Sequence, residues 1–420
     1  MKKTQIYLAT ILNPQNDLKC DFYDDGALVV RGDKIIDIGT ATQIIKKYQG
    51  KKDIEYIDYS DSVILPTFFD LHFHWVQDDV REMPKDDLLE WLKNYTWPYE
   101  AKFKNKSYAT KKAKEFFSRL VQTGTLGGAC YSSLHEVALD EAMKYAQGDF
   151  VIGNVLMTMN SPEYLSETKE QAVKKVQKFT SKYKNRYAMT PRFAITTHMD
   201  IMQKGASLAK KQKSFMQTHL SETKNEIDFV LSLFPEYKTY TDIYRGANML
   251  SDKTIMGHGI HLSDEELKLL AKTKTVVAHC PTSNAPLKEK GLGSGLFDFE
   301  RAEKHKVRWA LGSDIGGGPF LSMFDVMRSF VDQNKKNKKA TFVKALYRAT
   351  LAGASVLKLE KKTGNFKAGK TANFFLCDKP KKSAKNAEEL LKNLIQPIAK
   401  KRSAYDHLPT GVYYLGQQLF

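Results

Sequence analysis

Two histidines one residue apart, His72 and His74 in LPTFFDLHFHW, can offer both imidazoles to one cation if the segment is a strand, because strand side chains alternate faces. Alone this HxH pair says little, since two histidines on a half-buried strand are commonly incidental. Three further stations change its weight: His219 in FMQTHLSE, His258 in TIMGHGIHL and Asp314 in VRWALGSDIGGG each end an apolar, β-type run. Imidazole and carboxylate donors with an open position suit Zn²⁺, and by ligand type also Fe²⁺ or Mn²⁺. A bound divalent ion lowers the pKa of water to about 7, which makes hydroxide available near neutral pH. Glu222 stands three residues past His219 in HLSE, in the loop after the strand, where a carboxylate can exchange a proton with that water. Ser221 and the acidic residues that follow also read as a helix start, and the two roles are compatible. These residue types predict a metal-dependent hydrolase.

Gathering residues 72 to 314 around one ion calls for an architecture that brings distant strand ends together, and a barrel of parallel strands does so at its carboxyl rim. Eight runs fit that role, around VILPTFFDLHFH, GTLGGACYSS, FVIGNVLMTM, YAMTPRFAI, FMQTHLS, TIMGHGI, TVVAHCP and RWALGSD. Between them KKAKEFFSRLVQTG, KEQAVKKVQKFTSKY, NEIDFVLSLF and DEELKLLAKT space their apolar residues three and four apart, as helices do. The expected fold is α/β: a (β/α)8 TIM-type barrel over 63–360, with a small β-sandwich domain built from both chain ends, 1–62 and 361–420. Each end alone is too short for a stable sheet core. The lysine-rich KPKKSAKNAEELLKNLIQPIAKKRS has helical periodicity and reads as a solvated surface helix with flanking loops.

A formal net charge of +17 raises the question of nucleic acid, but only 11 of the 65 basic residues are arginine, the side chain suited to bidentate phosphate contacts. The lysines fall in solvated patches such as 335–339 and 379–382, so no specific nucleic-acid binding is expected. No apolar stretch reaches the roughly 20 residues needed to span a bilayer, and the polar start lacks a signal peptide's apolar core, so no membrane association and a cytoplasmic location are expected. The four cysteines are far apart, without CxxC spacing, and read as reduced; Cys280, next to His279, reads as a buried structural thiol.

PTFFDLHFH resembles the PGFxDxHxH strand of the amidohydrolase superfamily, and the His, HxxE, His and Asp stations complete the pattern of its single-metal deaminase branch. The blocks HFHWVQDD, LLEWLKNYTWPYE, MTPRF, FPEYKTYTDIY, AHCPTSN, GSDIGGG and GNFKAGKTANFFL are similar to those of its guanine-deaminating members, across essentially the whole chain. The resemblance implies one Zn²⁺ per chain held by His72, His74, His219 and Asp314, and catalysis by Glu222, His258 and Asp314. Glu222 would act first as base and then as acid, while His258 hydrogen-bonds the hydroxide or the tetrahedral intermediate. Gln77, Arg192 and Phe193 would join His219, Glu222 and His258 in binding a small purine, with Arg192 at the O6 carbonyl, and the enzyme would be a homodimer converting guanine to xanthine and ammonia. Two-metal relatives carry a bridging modified lysine at the end of the fourth strand; here that strand ends in Arg192 instead, which argues for one metal. The chain departs from the pattern at Thr67, GTLGGA, Ser313, Trp75 and TSNAPL, of which Trp75 and TSNAPL are expected to reshape the pocket. Two other readings are a deaminase of another heterocycle (a pyrimidine, pterin or triazine) and an inactive barrel scaffold with a basic binding surface.

Overall fold

A computed structural model describes residues 3–85, 88–398 and 402–420. They form two compact units: one of residues 70–117 and 128–320, the other of the two chain ends, through 69 and from 321, together with 118–127.

The first unit carries nearly all of an eight-stranded sheet, Phe68–His74, Thr125–Ser132, Asp149–Leu156, Ala188–Pro191, Phe215–Leu220, Thr254–His258, Val276–His279 and Arg308–Leu311, each hydrogen-bonded to the next in chain order. The registered pairs are parallel, with Gly257 beside His219 and Ala278 beside Gly257. Past the eighth strand the Asp314 N–H donates to the His72 carbonyl at 2.7 Å and the His74 N–H to the Ile315 carbonyl at 3.1 Å, which brings the end of the series back to its beginning. The eight expected runs are thus the eight strands of a near-closed barrel. Every residue of Phe68–His74 and Thr125–Ser132 is buried, as befits parallel strands covered on both faces, and this is why the runs read as continuously apolar.

Helices Lys169–Tyr183 and Asp264–Thr273 coincide with the segments expected from periodicity, and both start at capping boxes, Thr168 with Gln171 and Ser263 with Glu266. The helix after the fifth strand, Lys224–Leu233, is capped by Thr223 with Glu226 rather than by Ser221. Glu222 is thereby left outside the helix with its side chain uncommitted to the cap.

In the second unit both chain ends enter one mixed sheet, ordered Gln417–Gln418, Pro409–Tyr414, Phe374–Asp378, Ile54–Pro66, Thr4–Asn16, Lys19–Arg31, Lys34–Thr40. The ends meet where Phe374–Asp378 pairs antiparallel with Ile54–Pro66. Alternation along Thr4–Asn16 sends Tyr7, Ala9 and Ile11 into one core and Ile6 and Leu8 into another, so both faces of the sheet are covered. Helix Ala387–Ile395 corrects the expectation of a solvated helix: it buries Ala387, Leu390, Leu391, Leu394 and Ile395 and exposes only its other side. Residues 399–401 of that lysine-rich segment lie outside the described residues. No helix among the described residues is long and apolar enough to cross a membrane.

Candidate active site

At the carboxyl ends of the first, fifth and eighth strands, one ligand atom each from His72, His74, His219 and Asp314 lie within 4.8 Å of one another. His72 Nε2 and His74 Nε2 stand 3.3 and 3.5 Å from Asp314 Oδ1, and His74 Nε2 is 3.2 Å from His219 Nε2. His219 Nδ1–H donates to the Arg192 carbonyl at 2.6 Å, so its Nε2 carries a lone pair toward His74. His72 Nδ1 and Nε2, His74 Nδ1 and His258 Nε2 are buried without a hydrogen-bond partner among the described residues. Converging lone pairs and orphaned nitrogens in a buried site are costly unless a cation lies among them, so this donor set of three imidazoles and a carboxylate fits a divalent metal. Burial lowers the pKa of His72, His74 and His219 and keeps them neutral, the form that binds a metal. Burial opposes ionisation of Asp314, yet the facing His72, His258 and His74 hold its carboxyl far below the usual range.

Local backbone choices aim these side chains. Ser221, His258 and Asp314 take positive φ of 50°, 69° and 48°, a region that costs a non-glycine residue of order 1 kcal/mol or more and is typical of functional strand ends. At Gly257 a Cβ would lie 2.6 Å from His72 Cε1, so the sixth strand passes the imidazole with no room for a side chain. Asp70, two residues before His72, accepts from Ser313 N–H at 2.9 Å, from the Ser313 hydroxyl and from His72 N–H at 3.2 Å, and so ties the first strand to the turn that carries Asp314.

His258 Nε2 faces Glu222 Oε2 at 3.4 Å and Asp314 Oδ2 at 3.8 Å, while its Nδ1–H donates to Asn284 Oδ1 at 3.0 Å. Burial works against a charged His258, but the two facing carboxylates outweigh it and raise its pKa. Glu222 accepts from the Ser294 hydroxyl at 3.2 Å. Burial pushes its carboxyl up to about 7 against the pull of His258, a value suited to giving and taking protons near neutrality.

A pocket with about 370 Å³ of empty space opens onto this cluster, lined among others by His74, His219, Glu222 and Asp314 and by Gln77, Arg192, Phe193, Trp91 and Leu292. All the residues singled out from sequence as substrate contacts, save His258, line it, and His258 stands against two that do, Glu222 and Asp314. The expectation that Trp75 reshapes the pocket is not met. Its indole packs on Phe103 and Phe117 and donates to Ser132 Oγ at 3.1 Å, away from the lining.

Sequence reasoning passed over Glu100, Asn284, Ser294 and Asp70. Glu100 ends the LLEWLKNYTWPYE block and Asn284 ends AHCPTSN, so the signal for each lies in the block and not in the residue itself. Ser294 sits in GLGSG and carries no signal that sequence could use.

An eight-stranded barrel gathering His, His, His and Asp at its carboxyl rim defines a class, and the chain belongs to it: residues 63–403 match the amidohydrolase family. Within that family its relatives narrow the grouping. The guanine deaminase of Escherichia coli is 31% identical over 379 residues, 88% of this chain and 85% of that one, and the guanine deaminase of Mus musculus is 36% identical over 334 residues, 75% and 72%. Among solved structures, guanine deaminase from C. acetobutylicum with bound guanine in the active site superposes with a TM-score of 0.88 at 28% identity, covering all of both chains.

Proposed function

We infer that the protein is a hydrolase that deaminates guanine at C2, converting guanine and water to xanthine and ammonia with one Zn²⁺ per chain. The observation that carries this reading is a single pocket bringing a buried carboxylate, Glu222, and a metal-fitting donor set together with two polar side chains, Gln77 and Arg192, and an aromatic face, Phe193. His72, His74, His219 and Asp314 hold the ion, which when bound acts as a Lewis acid and lowers the pKa of water to about 7.

Glu222 takes one proton from the attacking water and delivers it to a purine ring nitrogen, then carries the second, from the oxygen now bonded to C2, to the amine that departs as ammonia. Its elevated pKa suits both transfers, because neither form is strongly favoured at neutral pH. His258, its tautomer set by Asn284, steadies the oxygen that adds to C2. Arg192 donates to the O6 carbonyl, Gln77 meets the polar edge, and Phe193 packs against the ring. The N–H donors of Arg192 at that edge disfavour adenine, whose C6 bears an amine and whose C2 has no leaving group.

The resemblance of the sequence also carries a homodimer and a cytoplasmic location; sedimentation of the purified protein reads the first and fractionation the second. The function itself is tested by ammonia release from guanine, adenine, cytosine, pterins and aminotriazines with zinc-loaded protein. Guanine alone turning over at a substantial rate is expected; preference for another ring overturns the substrate.

A further inference from the structure

Two residues that line the pocket, Gln77 and Arg192, bond to a carboxylate that the chemistry above leaves unused. Glu100, the last residue of helix Trp97–Glu100, is fully buried. Both its oxygens accept from one guanidinium nitrogen, Arg192 Nη1, at 2.9 and 3.0 Å, and Oε1 also accepts from Gln77 Nε2 at 2.8 Å. The two side chains on the polar side of the pocket therefore share one anchor that lies behind them.

That anchor constrains what each can offer a ligand. An ionised carboxylate only accepts hydrogen bonds, so Gln77 must turn its NH₂ toward Glu100 and its Oε1 away. Gly316 leaves room for that oxygen: it has φ 116°, and a Cβ there would come within 2.2 Å of Gln77 Oε1. Arg192, itself 2% exposed, spends Nη1 on Glu100, which supplies its counter-charge and leaves its other N–H groups for the pocket it lines.

Resting on the reading of this pocket as a guanine site, we propose that Glu100 is the positioning residue that sets substrate specificity: it makes Gln77 an acceptor and Arg192 a donor, a pair complementary to a carbonyl beside an N–H. Guanine carries that lactam edge. 2-Aminopurine carries the same amine at C2 but has neither the carbonyl nor the N–H, so it reads the edge without changing the leaving group. Glu100→Gln puts in place an amide that can donate as well as accept, which frees the Gln77 amide to turn over and removes the charge that aims Arg192.

The experiment compares kcat/KM for guanine and 2-aminopurine in the zinc-loaded parent, Glu100→Gln and Glu100→Asp, with zinc content measured for each. Losing one charge-assisted hydrogen bond to the 6-oxo edge lowers kcat/KM roughly tenfold to two-hundredfold. Glu100→Gln is expected to lose that factor on guanine and much less on 2-aminopurine, so that the preference between them collapses, while Glu100→Asp recovers part of it. If Glu100→Gln does not fold, the same ratio in Glu100→Asp decides, since a carboxylate withdrawn by one methylene still has to narrow the preference. Equal losses on both substrates, or an unchanged ratio, overturn the proposal while leaving guanine deamination intact. A parent that does not turn over guanine overturns the function itself.

Discussion

Gly257 binds nothing, yet its replacement by alanine is expected to empty the metal site. The new Cβ would sit 2.6 Å from His72 Cε1 and 2.9 Å from Nδ1. Carbon atoms rest at about 3.5–4.0 Å, so the ring must retreat by roughly 1 Å or the sixth strand must shift as far. The strand is held on both sides by its registers with Phe215–Leu220 and Val276–His279, and Gly257 lies next to His219 in that register. The imidazole is therefore the part that moves. Metal–ligand distances tolerate about 0.2 Å, so a 1 Å retreat takes His72 out of the donor set. Disturbing the support of a ligand alone costs about 10–100-fold in metal affinity; displacing a ligand is expected to cost at least the upper end of that range. Overpacking adds about 1–3 kcal/mol of destabilisation. The assay is zinc per chain by elemental analysis after dialysis against a buffered zinc series, alongside thermal unfolding with and without chelator. Chelator is expected to lower the parent's midpoint and to leave the variant's almost unchanged. A folded Gly257→Ala that binds zinc with parental affinity and deaminates at the parental rate would refute the reasoning from this contact.

Three other outcomes follow from the same geometry. Glu222→Gln keeps the donor set and is expected to retain metal while losing about 10² to 10⁴ in turnover, because the amide cannot move a proton; zinc analysis with steady-state ammonia release checks it. Arg192→Met is expected to lower kcat/KM for guanine by roughly tenfold to two-hundredfold, and unchanged turnover in the folded, metal-replete variant removes Arg192 from substrate binding. Ser294→Ala deletes a donor to the charged form of Glu222, so the carboxyl titrates higher and the acidic limb of the kcat/KM profile moves to higher pH; a limb that stays in place shows that this hydroxyl does not act on the proton shuttle.

Much of the site was legible because its parts are local. His72 and His74 face one way by strand alternation alone. HLSE puts Glu222 past its strand, and apolar runs ending in His or Asp mark strand ends before any partner is known. Helices Lys169–Tyr183 and Asp264–Thr273 were readable because apolar residues three and four apart report a helix within a few turns of chain. The same locality misled at Ser221, which has the composition of a cap, although Thr223 and Glu226 form it. It misled at Trp75 too, where bulk beside a ligand suggested a pocket wall and the indole turned into the packing around Phe103.

The residue types of a metal site and the order of eight strands and their helices were determined by sequence, since side-chain chemistry and hydrophobic period act over a few residues. The partners of those residues were decided only by closure of the barrel. Glu100 meets Arg192 across 92 positions and Asp70 meets Ser313 across 243, and nothing in either local stretch distinguishes an anchoring carboxylate from a solvated one. The glycine at 257 is in the same position: on its own strand it looks like a weak point, and only the imidazole arriving from the first strand makes the missing side chain a requirement. Burial has the same origin, because the desolvation that raises Glu222 and keeps the histidines neutral comes from walls assembled from distant parts of the chain.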